Sequence, residues 1–418
     1  MTLAQFLDQA PAPALFHASE KTFTQFLAEK WETIFRALEP ADGEDGEGER
    51  KGLPPAGEDR ERDIRNAVRT TLGDLAELLR PWGDRPIGPR CVPPSFVSAD
   101  GFPAELSVSW RGARPEIRVL CESLGPDPTP YGCQEAGRRL TRRLARRPGT
   151  DIARCLSVEE LFLSPAPEPG RPTVWHSLAR RPGERPRYKV YFNPQVQGRD
   201  RAPEVVAEAM RRLGLAAAWA PVGRRAGELA RRGHELEFFA LDLTGPDTAR
   251  VKVYFRHHTQ SMDELDTVAA LARHHDPRRA ARARAVIYGR DSGTVHNEPM
   301  TCLAFRTPAP GPATDPATSP GPGPGPDPGP GPDEANLYLR LPGNTLTDTE
   351  ATARISRLMR LEGVDPGPYA RMARRLTAGL PPGAGGLQEL CSFRTTGAGA
   401  PADLGVYLRF GVYDTPGA

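Results

Sequence analysis

The sequence predicts an α+β fold in which ten antiparallel strands, taken as five hairpins, close into a barrel with helices outside. Three observations lead there. Five strand pairs alternate with helical stretches along the chain. Tyr191, Tyr254, Tyr338 and Tyr407, each on the second strand of its pair, recur 63, 84 and 69 residues apart, the longest interval holding a Pro/Gly-rich insertion. Such a period implies repeated supersecondary units. Residues two apart share a strand face. Lys189 with Tyr191, Arg250 with Lys252 and Tyr254, and Tyr407 with Arg409 therefore point one way, and Val, Phe and Leu the other. A face rich in Lys, Arg and Tyr and poor in carboxylates suits an enclosed anion, which places it inside the barrel and the apolar face under the helices.

Each element follows from local pattern. Residues 3–38 read as helical, with Phe6, Leu15, Phe23, Phe26, Leu27 and Trp31 apolar and Pro11 and Pro13 interrupting. Residues 39–62 are acidic and Gly-rich, the composition of a mobile loop, and a second helix runs from 63 to 79. Residues 101–110 and 116–124 form the first strand pair around Arg111-Gly112, and an Arg-rich helix covers 136–147. Residues 173–178 and 187–193 pair next, followed by a helix over 203–219. Residues 235–243 and 250–256 pair across Thr244-Gly245-Pro246-Asp247, and 262–274 is helical. Residues 300–306 and 336–341 form the fourth pair. Segment 307–334, nearly all Pro, Gly, Asp, Ala and Thr, interrupts that hairpin as a surface insertion. Helices over 347–361, capped by Thr347, and 369–380 precede the last pair, 388–395 and 405–413. One domain spanning 1–418 is expected.

Composition excludes several classes. The 418 residues carry 55 Lys+Arg against 53 Asp+Glu, a net charge of +2, which argues against a nucleic-acid binder. The six cysteines lack CxxC spacing, so neither a zinc site nor a disulfide framework is indicated. No apolar run reaches ~18 residues, and Met1–Ala18 has no basic start or long apolar core. A cytoplasmic protein that binds no membrane is expected.

Arg118, Lys189, Arg250 and Lys252 come from three hairpins; converging, they would offer fork and point charges to a di- or triphosphate. The sequence has no adjacent Asp-Asp pair and no P-loop, so the anion would be met by side chains without an obligatory metal, Mg²⁺ being at most stimulatory. The four tyrosines can donate to phosphate oxygens and shield a carbocation with their rings.

Residues 105–110 (ELSVSW), Ile117-Arg118-Val119-Leu120, KVYFNP at 189–194, the run 240–255 ending in RVKVYF, and YLRLP at 338–342 resemble the dimethylallyltryptophan synthase-type aromatic prenyltransferases, above all the actinobacterial tryptophan prenyltransferases. The likeness runs from about residue 90 to the end of the sequence. It implies a prenyltransferase barrel of αββα repeats, in accord with the five hairpins. It implies transfer of a dimethylallyl group from dimethylallyl diphosphate to the indole ring of L-tryptophan or a tryptophan-derived acceptor, by Friedel–Crafts alkylation. Glu105 matches the carboxylate that accepts the indole N–H. Arg118, Lys189, Tyr191, Arg250, Lys252 and Tyr254 match diphosphate-binding and shielding positions, Asn336 stands where fungal members often have Gln, two before Tyr338, and Tyr407 resembles the final-strand tyrosine. Many fungal members carry a proton-accepting Lys thirteen residues before the first KxY lysine; here that residue is His176, either the terminal base or a packed histidine. Since Trp175 and His176 alternate, only one looks inward. His257-His258 and His274-His275 read as surface or packing residues. A phenolic acceptor such as tyrosine, an indole-containing peptide, and a non-catalytic barrel for isoprenoid diphosphates remain alternatives.

Overall fold

The computed structural model describes residues 18–413 except 19, 39–55, 112–113, 182, 246–248, 260, 290–294, 296, 307–330, 346, 382 and 398, and the backbone alone of 56–67 and 114. Most of the expected acidic loop and of the Pro/Gly insertion, and the start of the first helix, thus lie outside the described residues. The strands are β1 (Ala104–Arg111), β2 (Arg114–Glu122), β3 (Val174–Arg180), β4 (Arg187–Phe192), β5 (His234–Asp242), β6 (Arg250–His257), β7 (Met300–Arg306), β8 (Glu334–Arg340), β9 (Gln388–Arg394) and β10 (Asp403–Leu408). Each pairs antiparallel with its sequence neighbours, and β10 pairs with β1 to close the barrel.

The apolar faces work as expected. Val190, Phe192, Val251, Val253, Phe255 and Phe393 are buried outside the barrel, in one apolar layer with the surrounding helices. A second, separate apolar cluster sits inside and includes Trp175, Phe238, Tyr254, Tyr338 and Leu390. A ten-stranded barrel is too wide for side chains to fill, so its interior keeps open space.

Several elements differ from expectation. The helix expected from 63 begins at Ala56, and that expected at 136–147 spans Pro130–Leu144, because Thr129 caps Gly132 N and Pro130 opens the first turn. The helix over 203–219 divides into Ala202–Arg212 and Ala216–Gly223 around Gly214, whose φ of +73° ends the first. Instead of a helix over 262–274 there is one turn at Asp266–Ala269 and a twelve-residue helix, Pro277–Tyr288, capped by Asp276. Its buried side mixes Ala280 and Ala283 with Arg284, Ile287 and Tyr288, which weakens the periodic signal. The insertion's last residues belong to the hairpin: Asp333 accepts from Arg306 N and Glu334 pairs with Ala304. Thr347 caps its helix as expected, accepting from Glu350 N.

Candidate active site

The lumen has a polar end and an apolar end, separated by tyrosines. The polar end is lined by Arg118, Lys189, Arg250, Lys252, Asn336 and Arg394, within an empty volume of about 1400 Å³. Strand alternation brings them together: Lys189 and Lys252 stand on strands β4 and β6, which flank β5, each two residues before a tyrosine. Asp242 on β5 lies between two of the cations, 2.9 Å from Lys189 Nζ and 2.8 Å from Arg250 Nε. Burial alone would raise the Asp242 carboxyl, but Lys189 and Arg250 overcome it and hold it far below the ordinary range. Arg394 pairs with Glu334 and Asp403, and Arg118 Nη2 donates to Glu116 at 2.7 Å. Lys252 differs from its neighbours. It is buried and makes no hydrogen bond or ion pair among the described residues. Burial, then Lys189 and Arg250, push its pKa well below that of an ordinary lysine. Asn336 Oδ1 is likewise buried without a partner.

Tyr191, Tyr254, Tyr338 and Tyr407 form a row across the lumen, with successive ring centroids 6.0, 5.8 and 5.5 Å apart. Arg118 Nη1 approaches Tyr407 Oη at 3.4 Å, and Arg118, Tyr338 and Tyr407 border both ends. Tyr191 and Tyr254 border only the apolar end, so the structure places them as a wall between the two spaces and not among the cations of the polar end.

The apolar end, about 980 Å³ of empty space, is lined by Phe96, Leu120, Trp175, Phe238, Met300 and Leu390. Trp175 packs between Phe96 and Phe238, with centroids 6.3 and 5.1 Å away. Glu105 faces this space, half-buried, and its carboxylate has no hydrogen bond or ion pair among the described residues. Burial, then the nearby Glu389, raise its pKa to about 8 against the opposing pull of Arg340 and Arg118. Arg256, Arg340, Arg409 and Glu389 complete the rim. Arg256 pairs with Glu237 at 3.0 Å, and Arg340 pairs with Glu389.

His176 corrects an expectation. Trp175 takes the inward position and His176, opposite Val190, faces out. It is fully buried against the helix Pro130–Leu144, with Nε2 2.8 Å from Thr141 Oγ1. Burial, then Arg143, lowers its pKa to about 3, so it is a neutral packing group beyond reach of the lumen. The histidine pairs fit the packing reading among the described residues: His257 bonds His234 and Thr301 inside the protein wall, and His275 meets Asp266. Sequence reasoning placed Arg409 on the inward face with Tyr407 but missed Arg256 and Arg340, although their signal was present. Arg256, Arg340 and Arg409 each follow a lumen tyrosine by two residues, in Tyr254-x-Arg256, Tyr338-x-Arg340 and Tyr407-x-Arg409. Glu389 carried no such signal, because the β9–β10 register shifts between Tyr407 and Leu408.

Comparison with known proteins bears on this arrangement. The family model for tryptophan dimethylallyltransferase matches residues 81–285. A 6-dimethylallyl tryptophan synthase is 28% identical over 94% of this chain and 98% of its own, with a TM-score of 0.75. The 6-dimethylallyltryptophan synthase from Micromonospora olivasterospora, solved with DMASPP and Trp, is 28% identical over 93% of this chain and 98% of its own, TM-score 0.73. The 5-dimethylallyl tryptophan synthase from Streptomyces coelicolor, also solved with DMASPP and Trp, is 25% identical over 94% and 96%, TM-score 0.73.

Proposed function

We infer that the chain is an aromatic prenyltransferase of the tryptophan dimethylallyltransferase kind, moving a dimethylallyl group from dimethylallyl diphosphate to the indole of L-tryptophan. One observation carries the reading: a tyrosine wall divides a cation cluster that includes an unpaired Lys252 from an apolar chamber that holds an unpaired Glu105. A mere diphosphate carrier needs the first half and has no use for the second.

The roles follow from chemistry. Arg118, Lys189, Arg250, Lys252 and Asn336 hold the diphosphate, and Lys252 gains the anionic partner it lacks. As the allylic C–O bond breaks, negative charge grows on the diphosphate oxygens and these cations stabilise it. The carbocation left behind lies among Tyr191, Tyr254, Tyr338 and Tyr407, whose ring faces attract it and exclude water. Glu105 accepts the indole N–H, which raises the electron density of the ring, and the ring's π electrons form the new C–C bond. The proton displaced from that carbon leaves to ionised Glu105, a stronger base than an ordinary carboxylate because its pKa is raised to about 8, with His176 facing away from the lumen. Rim arginines with open N–H groups, Arg256 and Arg409, face the acceptor's carboxylate. Side-chain cations do the work of a metal, so none is required.

Incubation with dimethylallyl diphosphate and single amino acids tests the proposal. Release of diphosphate that depends on L-tryptophan, with a prenylated tryptophan by mass spectrometry, is expected. Release that depends on tyrosine alone, or no acceptor-dependent release, overturns it.

A further inference from the structure

We propose that Glu389 binds a cationic amine on the acceptor and thereby selects free amino acids over indoles whose amine is absent or acylated. The inference rests on the prenyltransferase reading, which sets the indole N–H against Glu105.

Glu389 is only 8% exposed, yet its Oε2 has no hydrogen-bond partner among the described residues. Its other oxygen is taken by Arg340. Arg409 Nε forms only a loose ion pair with Oε2, at 3.9 Å, beyond hydrogen-bond distance. Native proteins seldom leave a buried carboxylate oxygen open in this way. Among the described residues Arg409 Nε and Arg256 Nη1 are likewise buried without a hydrogen bond, Arg256 Nη1 standing 3.5 Å from Glu298 Oε2, and Glu389, Arg409 and Arg256 all line the apolar chamber. Two open donors and one open acceptor are the complement of a zwitterion: an α-carboxylate accepts from the arginines, and an ammonium, with donors only, suits Glu389. An indole lacking the amine leaves Glu389 Oε2 buried and unmet. An N-acyl group brings a carbonyl oxygen toward a carboxylate and removes the positive charge. Sites built to hydrogen-bond a polar group reject analogues that lack it, because their own buried atoms are then left unpaired.

The amine also bears on Glu105. Glu105, Arg118, Arg256, Arg340 and Arg409 are the charged groups sharing the chamber with Glu389. The negative charge of Glu389 opposes ionisation of Glu105. An ammonium on Glu389 offsets that repulsion and favours the carboxylate form that accepts the indole N–H.

Binding and turnover of L-tryptophan, indole-3-propionate and N-acetyl-L-tryptophan, with dimethylallyl diphosphate or its thiolodiphosphate analogue, test the proposal in the full-length protein. The wild type should favour L-tryptophan over indole-3-propionate about 10- to 100-fold, the range of a charge-assisted hydrogen bond. Glu389→Gln, which keeps an oxygen for Arg340, should shrink that ratio to within about threefold. The midpoint of the acceptor pH profile should lie lower with L-tryptophan than with indole-3-propionate. Equal use of the two acceptors by the wild type, or a ratio that survives Glu389→Gln in a protein of unchanged melting temperature, overturns the inference. Preferential binding of L-tryptophan without turnover sinks the prenyltransferase reading and leaves the amine site standing; prenylation that ignores the amine does the reverse.

Discussion

Lys252→Met should make the empty protein more stable and the enzyme worse. Lys252 is a buried ammonium with no partner among the described residues, repelled by Lys189, Arg250 and Arg394. Its cost has a ceiling, because the group can shed its proton: from an ordinary pKa near 10.4, that costs about 5 kcal/mol at pH 7. Methionine keeps the unbranched shape and removes the charge, so a gain of about 1–3 kcal/mol is expected, in line with apolar replacement of buried charges. For 418 residues the unfolding entropy is about 0.9 kcal/mol/K, which turns that gain into a rise of roughly 1–3 °C. The loss appears with ligand. A thiolodiphosphate analogue at 100 times its Kd stabilises the wild type by about 2.7 kcal/mol. Losing a charge-assisted bond of about 1.5–3 kcal/mol cuts that gain to roughly 0.3–1.3 kcal/mol at the same concentration. Thermal unfolding with and without the analogue reads both effects. Lys189→Met is the control: it strips a partner from Asp242, and the empty protein should melt lower. A Lys252→Met protein that melts at or below the wild type, with an undiminished ligand shift, refutes the assignment of an unmet cation awaiting phosphate.

Glu105→Gln should slow alkylation while leaving thiolodiphosphate binding within about 0.5 kcal/mol, since Glu105 lies across the tyrosine wall from the cations; equal losses in both would unseat its role. Only ionised Glu105 accepts the N–H, and its pKa is raised to about 8, so kcat/KM for the acceptor should climb with pH to a midpoint near 8, and Glu105→Gln should flatten that rise. Turnover should persist in EDTA; activity abolished by chelation and restored by Mg²⁺ would show that the side-chain cations do not suffice. His176 should shape acid stability and not turnover: its folded pKa of about 3 lies below an unfolded value near 6.5, so the unfolded chain gains a proton that the native one refuses, and about 2 kcal/mol should be lost between pH 6.5 and pH 5. Urea unfolding of His176→Leu across that range should show the slope reduced.

The parts visible in the sequence are those governed by period-two alternation. Lys252 and Tyr254 share a face with Arg250 while Val251, Val253 and Phe255 fill the other, and the barrel reproduces that division without exception on β6. His176 failed for the same reason that the pattern succeeds. Alternation says that Trp175 and His176 diverge and is silent on which turns inward; pairing with Tyr191 settles it, and pairing is not a local property. Glu389 was hidden because the alternation itself breaks at the β9–β10 irregularity, letting a residue next to inward-facing Leu390 also reach the lumen. Helix positions drifted where the buried face holds small and charged residues, as in Pro277–Tyr288 with Ala280, Ala283 and Arg284.

The division of labour inside the barrel has a simple geometric source. Each strand crosses the lumen at a tilt, so residues two apart stand at successive heights. On β6 the heights carry Lys252, Tyr254 and Arg256; on β8 they carry Asn336, Tyr338 and Arg340. Read along the strand, these take the proposed roles of phosphate ligand and carbocation shield, followed by a rim arginine. One strand thus contributes to every compartment, and the compartments stay in order because the strands share a register. The same register holds the outer layer in place: a one-residue slip of β6 would turn Lys252 onto the helices and Val251 or Val253 into the lumen. Burying the ammonium there is far costlier than exposing a valine, so the chemistry of the inner face and the packing of the outer face select the same alignment. The connection at a hairpin's end carries no such coupling, which is why the long stretch of chain between Arg306 and Glu334 leaves the lumen residues on both strands in their places.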